Sequence, residues 1–399
     1  MNRRAFLKAT AGLPVAAWGL SRFSRAQPPG QTQAPASSQA STGAASPPVA
    51  AAPPASAASQ VKEFAPRPGP WRSFEITTHV EVQRPAGMTR LWLPLPAVAA
   101  DYQDPLDNHW TGNATLMEER TDTDGTVRVL YAEFAEGGPA PALEVISRVQ
   151  TRDRAVDWSK TIAASEDKAV LKRCTAPTDL IPTDGIVRET AREITRGKRT
   201  DVEKARAVYD WVLATMYREP KVRGCGVGDI KAILETKNFG GKCADINALF
   251  VGLLRSAGVP ARDVYGIRVA PSAFGYKTLG AGSATITKSQ HCRAEVLLRE
   301  HGWVAMDPAD VAKVAREETG ERIHLDDPLV APVRRQLFGA WEGNWIGFNT
   351  AHDVALPNAT KKDRLGFLMY PQGETAEGRL DCLDADSFKY SITTRELPA

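Results

Sequence analysis

The stretch Asn238-Phe239-Gly240-Gly241-Lys242-Cys243-Ala244-Asp245-Ile246-Asn247-Ala248-Leu249-Phe250 decides how the chain is read. Two glycines free the backbone from side-chain sterics immediately before a cysteine. Beyond it, Ile246, Leu249, Phe250, Leu253, Leu254 and Ala257 keep apolar steps of three and four until Gly258-Val259-Pro260 ends the run. Cys243 therefore opens a helix packed into a core, a rigid mount for a reacting group. The unpaired N–H groups of a helix start carry partial positive charge, which favours a thiolate. Asp245 in the same turn suits the helix dipole, but its charge opposes the thiolate.

Upstream, Ala205, Val208, Tyr209, Val212, Leu213 and Met216 repeat the helical spacing behind the cap signal Thr200-Asp201. Downstream the period changes to two. Tyr265, Ile267 and Val269 alternate on one strand, Ala294, Val296 and Leu298 on a second, and Val304 and Met306 on a third, with Arg299 to Gly302 as the hairpin between the last two. His291 opens the second of these strands on the face opposite Ala294 and Val296, and Asp307 closes the third. Such neighbours lie roughly 5–8 Å apart across an antiparallel pair. Asp307 can then fix the imidazole tautomer of His291 and leave the other nitrogen to take the proton of Cys243. Cysteine, histidine 48 residues on and aspartate 16 further form one ordered set of nucleophile, base and orienter.

Cys225, Cys243, His291 and Cys292 are zinc-type ligands, but they lack short Cys-x-x-Cys pairs, and adjacent strand residues point to opposite faces. The expectation is no metal and no cofactor, and no acidic loop has calcium-ligand spacing. The plainer reading of Cys225 and Cys292 is a disulfide or two buried thiols. With five cysteines, at least one thiol stays free in a monomer, and Cys243 is the candidate. His79 and His109 read as strand or loop residues, Trp341 and Trp345 as core, and His352-Asp353 as a loop pair.

Asn2-Arg3-Arg4-Ala5-Phe6-Leu7-Lys8 and the mildly apolar run Ala9 to Leu20 read as a twin-arginine export signal, with Ser24-Arg25-Ala26 as its cleavage site. The run is too short for a membrane anchor, which takes about 20 apolar residues. Residues 1–26 are assigned to the signal and 27–70, rich in Pro, Ala, Ser and Gln, to a disordered linker that buries too little to order itself. Losing the signal removes five basic residues and no acid, which takes the formal charge from +3 to −2 and leaves no case for nucleic acid as a partner. Residues 71–158 alternate β-rich runs at 74–82, 90–93, 127–134 and 143–149 with turns, which predicts an N-terminal β-sandwich-like domain. The α+β catalytic domain is placed at 159–310 and a β-rich extension packed on it at 311–399, with strands expected at 365–370 and 388–393.

Gly240 to Asp245, Leu249 to Gly266, His291 to Glu295 and Gly302 to Pro308 resemble the core of the transglutaminase-like superfamily. The resemblance spans about 200–310. It implies a papain-like α+β core in which Cys243, His291 and Asp307 act as nucleophile, general base and orienter. The chain differs at Arg293, where many members carry an aromatic residue, and at Arg223 to Asp229, where animal transglutaminases carry an oxyanion-holding tryptophan. The backbone N–H of Cys243 supplies one oxyanion donor. The expected function is an exported cysteine-dependent acyl-transfer enzyme acting on peptide, protein or cell-envelope amides, located in the periplasm or secreted. Hydrolysis is favoured over amine cross-linking. The alternative is a catalytically silent periplasmic binding or assembly module whose cleft the Trp341 to Phe348 segment covers.

Overall fold

The computed structural model describes residues 63–122, 124–384 and 388–398. The export signal at 1–26 and the linker as far as residue 62 lie outside the described residues. The described chain opens with strands β1 (Arg72–Val82), β2 (Thr89–Leu95), β3 (Gln103–Gly112), β4 (Leu116–Thr121), β5 (Arg128–Phe134), β6 (Ala142–Thr151) and β7 (Arg154–Ala155). Helices α1 (Lys168–Arg173), α2 (Gly185–Ile194) and α3 (Asp201–Thr215), strand β8 (Tyr217–Arg218), helix α4 (Ile230–Thr236) and strand β9 (Gly240–Gly241) follow. Next come α5 (Cys243–Ser256), β10 (Ala261–Arg268), β11 (Gln290–Leu298), β12 (Gly302–Met306), α6 (Pro308–Glu317), α7 (Ala331–Gln336), β13 (Ala340–Trp341) and β14 (Trp345–Asn349). Strands β15 (Gln372–Thr375), β16 (Gly378–Arg379) and β17 (Phe388–Leu397) close it.

Helix α5 is the centre. Small residues Ala244, Ala248, Val251 and Gly252 complete the apolar face of Ile246, Leu249, Phe250, Leu253 and Leu254, so the helix is buried from Cys243 to Arg255. A helix apolar on all sides belongs inside a core. It ends as its sequence requires: Gly258 adopts φ +77° and the N–H of Val259 returns to the carbonyl of Leu254. One side lies on the antiparallel sheet β12-β11-β10-β14, and α2, α3, α4 and α6 pack around the rest. Helix on antiparallel sheet is the α+β, papain-like arrangement expected for this core.

The other two large sheets, β17-β1-β6-β3 and β16-β15-β2-β5-β4, share a core that includes Val80, Leu91, Leu130, Val145 and Phe388 and form the sandwich expected before the core. Residues 311–399 are divided between the two regions. Strand β14 extends the α5 sheet beside β10, whereas β15 pairs with β2 and β17 runs antiparallel along β1 from Val82–Phe388 to Ser73–Leu397. Phe64, near the end of the expected linker, is buried against Phe274 and Tyr276.

Several elements differ from the sequence reading. Strands β3 and β4, which the sequence did not mark, are largely exposed edges of the sandwich; β3 holds Asp, Pro and Asn across a register shift at Pro105 to Asn108. Edge positions tolerate residues that a central strand would reject. Residues 365–370 do not form a strand. Leu365 makes one bridge to Val354, and the carbonyl of Leu368 is satisfied by the Asn349 side chain. Helix α6, inside and just before the region expected to be β-rich, begins at Pro308 because Asp307 caps it and proline suits the first helical position.

Gly266 marks the closest approach within the α5 sheet: a Cβ there would lie 1.9 Å from the Ile346 carbonyl and 2.5 Å from the Trp345 ring. Backbone on one side and a buried ring on the other leave no space to yield. Gly266→Ala is expected to lower stability by about 2–3 kcal/mol, read as a fall in the urea midpoint at unchanged slope; an unchanged midpoint would contradict this packing.

Candidate active site

Three elements deliver the site. Cys243 sits on the first turn of α5 behind the short parallel pair of β8 and β9, Tyr217 with Gly240 and Arg218 with Gly241. His291 is the second residue of β11, and Asp307 directly follows β12. The structure brings all three expected residues together. The His291 ring donates through Nε2 to Oδ2 of Asp307 at 2.7 Å, which leaves Nδ1 for Cys243, its hydrogen-bond partner. Asp307 meanwhile accepts the N–H of Asp310 at 3.1 Å and so caps α6 with its other oxygen. One carboxylate thereby fixes both a helix start and a ring orientation.

The region around His291 is more highly charged than the sequence suggested. Asp310 Oδ1 lies 3.4 Å from His291 Nε2 and is paired with the buried Arg268 guanidinium. Burial and Arg268 disfavour the charged imidazole, but Asp310 and Asp307 outweigh them and push its pKa up to about 9. The Asp307 carboxyl is itself pushed up, first by burial and then by Asp310. Burial opposes ionisation of Asp310 too, but Arg268 and His291 hold its carboxyl well below the usual range. His291, Asp307 and Asp310 bring ligand-type atoms within 4.8 Å of one another. Because Arg268 holds Asp310 and His291 holds Asp307, the cluster works as an ion-pair network.

Cys243 lies among thiols. Its sulfur shares hydrogen bonds with Cys225 and Cys292 as well as His291, and these donors, Cys225 foremost, pull its pKa well below the usual thiol value against the effect of burial. Cys225 and Cys292 shift the opposite way: hydrogen bonding to Cys243 leads for Cys225, burial for Cys292. All five cysteines are free. Cys225 is brought in by Asp245, whose carboxylate accepts the N–H groups of Val227, Gly228 and Lys242 at 2.9 Å each, while the carbonyl of Cys225 takes the N–H of Ala244 at 2.9 Å. Asp245 thus organises the loop opposite the thiol. Gly226, at φ +93°, is required there because a Cβ would fall 1.9 Å from an Asp245 oxygen.

Arg293 replaces an aromatic residue and leans on aromatics instead. Its guanidinium lies 5.2 Å from the Trp341 ring and 4.8 Å from that of Trp345, and donates to the Glu342 carbonyl at 2.9 Å. Trp345 Nε1 donates to the His291 carbonyl at 2.8 Å. Both tryptophans are core, and the 341–348 segment does not line the cleft. His352 and Asp353 lie in a loop, as expected, where His352 faces Asp263 at 3.4 Å and the Tyr265 hydroxyl, and Asp353 accepts the N–H of Asp179 at 3.0 Å. Gln290 Nε2 is buried without a hydrogen-bond partner and its residue lines the Cys243 cleft. The sequence held no signal for Asp310, Arg268 or Gln290 beyond their closeness to His291 and Asp307 in chain order or strand register.

The family profile that matches residues 188–308 is the transglutaminase-like superfamily. A Haemophilus influenzae protein described as uncharacterized is 33% identical over 334 residues, covering 78% of this chain and 87% of that protein. Among solved structures, a Cytophaga hutchinsonii protein given as a candidate cysteine protease aligns at 16% identity over 82% of this chain and 99% of its own, with a TM-score of 0.47. The periplasmic domain of TgpA from Pseudomonas aeruginosa aligns at 16% identity over 61% of this chain and 91% of its own, with a TM-score of 0.33. By its matched core and its near-full-length relative, the chain belongs to the transglutaminase-like superfamily.

Proposed function

We propose that this chain is an exported, cysteine-dependent acyl-transfer enzyme that acts on peptide or protein amides, with hydrolysis as its main outcome. The observation that supports it most is the buried pairing of a depressed thiol, Cys243, with an imidazole, His291, whose pKa Asp310 and Asp307 raise to about 9. With the thiol depressed and the imidazole raised, the pair favours thiolate and imidazolium. The thiolate attacks the amide carbonyl carbon, and the electrons of the C=O bond move onto oxygen. Collapse of that intermediate breaks the C–N bond as His291 gives its proton to the departing nitrogen, leaving a thioester on Cys243. Water, deprotonated by the now neutral His291, then releases the acid and restores the thiolate. Asp307 holds the ring throughout.

The intermediate oxyanion needs donors already in place. The N–H of Cys243 at the start of α5 supplies one, and the unpartnered amide of Gln290 supplies the second in this reading. Export rests on the twin-arginine pattern at Arg3-Arg4 together with its short apolar run. Among the described residues no helix is long and apolar enough to cross a membrane.

Iodoacetamide alkylation of Cys243 tests the pairing directly. A thiol with a depressed pKa stays reactive as pH falls below 7, so the acidic limb of the rate profile should lie well below that of free cysteine; Cys243→Ala should lose both the label and turnover. Cys225→Ala together with Cys292→Ala removes both thiol donors and should move that limb upward. Removing the negative charge of Asp310 leaves Arg268 uncompensated, so Asp310→Asn should move the basic limb of turnover down from about 9. An ordinary thiol profile, unmoved by these changes, would contradict the reading. Gln290→Leu is expected to lower kcat by roughly 10²-fold with little change in KM; an unaltered kcat would remove Gln290 from the oxyanion site.

A further inference from the structure

The cleft that holds Cys243 has a volume of about 420 Å³ and is lined by Arg218, Arg223, Lys242, Arg268, Lys288 and Lys313, with no carboxylate among its described lining residues. This concentration of charge is local, since the whole chain carries a formal charge of only +3. Three of the six cations are paired with anions: Arg218 with Glu317 at 2.8 Å, Arg223 with Asp381 at 2.7 Å and Arg268 with Asp310. The lysines are not. Lys242 and Lys288 form no ion pair among the described residues, and Lys313 donates only to the carbonyl of Thr278 at 2.7 Å. Burial and the nearby Arg268 lower its pKa to about 8, although Asp310 and Glu317 oppose them from beyond ion-pair distance. Tyr370, Leu383, Phe388 and Tyr390 add an aromatic and aliphatic wall to the same cleft.

A partly enclosed group of like charges raises the local concentration of anions and is stabilised when one binds. Lysines act as point charges without the forked geometry of arginine, which suits a single carboxylate approaching in varied orientations. From the three unmatched lysines beside the thiol, we propose that the substrate is a peptide carrying a carboxylate close to the amide that Cys243 attacks. The carboxylate lies against Lys242, Lys288 and Lys313, and the apolar wall supports the peptide body. The inference rests on the proposed thiol chemistry. Its carboxylate can come from an acidic side chain or from a free peptide C-terminus.

Three chloroacetyl dipeptides separate these cases: chloroacetyl-Ala-Glu-amide with a side-chain carboxylate, chloroacetyl-Ala-Gln with a terminal carboxylate, and neutral chloroacetyl-Ala-Gln-amide. The second-order rate of Cys243 alkylation is measured for each and divided by its rate with free cysteine. At least one carboxylate probe should react about ten-fold or more faster than the neutral one, and the faster identifies the source. The advantage should shrink with added salt and in Lys288→Gln and Lys313→Met chains. Lys288 is exposed, so its variant and the salt series decide the matter even where Lys313→Met does not fold. Equal rates for all three probes, or an advantage insensitive to salt and to both substitutions, would overturn the anionic preference while leaving the thiol chemistry intact. Failure of iodoacetamide and every probe to label Cys243 would instead overturn the thiol reading itself.

Discussion

The hydrogen bond from His291 Nε2 to Asp307 Oδ2 joins β11, β12 and the first turn of α6 at one point beside the start of α5. Asp307 can hold the ring only because it also caps α6, and α6 brings Asp310 to the same nitrogen. The charge state follows from that geometry. Two carboxylates and two guanidiniums, Arg268 and Arg293, surround an imidazole shielded from water, and the carboxylates prevail. A thiolate at a helix start beside a charged ring stabilises that ring, and the ring stabilises it in return.

Asp245 does oppose the thiolate, since after burial the repulsion between the two charges helps raise its carboxyl pKa, but its oxygens also accept hydrogen bonds from three backbone N–H groups of the preceding loop and cap. That use of the carboxylate sets the loop conformation, which in turn places Cys225 against Cys243. Cys225 and Cys292, read as a disulfide or two buried thiols, are two buried free thiols, and they are also hydrogen-bond partners of the candidate nucleophile. Nothing in their spacing could reveal this, because the loop path depends on a positive-φ glycine and on hydrogen bonds to the Asp245 carboxylate from a separate part of the chain.

What was legible in the chain was local. The period of α5, the capping box of Thr200 and Glu203 on α3, and the alternation in β10 to β12 all follow from neighbours within one or two turns. The juxtaposition of Cys243, His291 and Asp307 followed from these because each sits at the end of a well-marked element. Less legible were pairings set by distant residues. Strand β17 closes the sandwich against β1 more than 300 residues away, and β14 extends the sheet that carries His291. Edge strands β3 and β4 were hidden because partial exposure removes the apolar alternation that marks a strand. Asp310 and Arg268 were invisible for a similar reason: a buried ion pair between a helix and a strand leaves no periodic trace.

The proposed chemistry requires Cys243 to be the group that takes the acyl chain. An electrophilic glutamine-based peptide probe, with the labelled residue and the bound group read by mass spectrometry in the native chain and in Asp307→Asn, tests it most directly. A single adduct on Cys243 that forms markedly more slowly in the variant is the expected result. Labelling spread over Cys174 and Cys382, or a Cys243 adduct formed at the same rate in both chains, would contradict it.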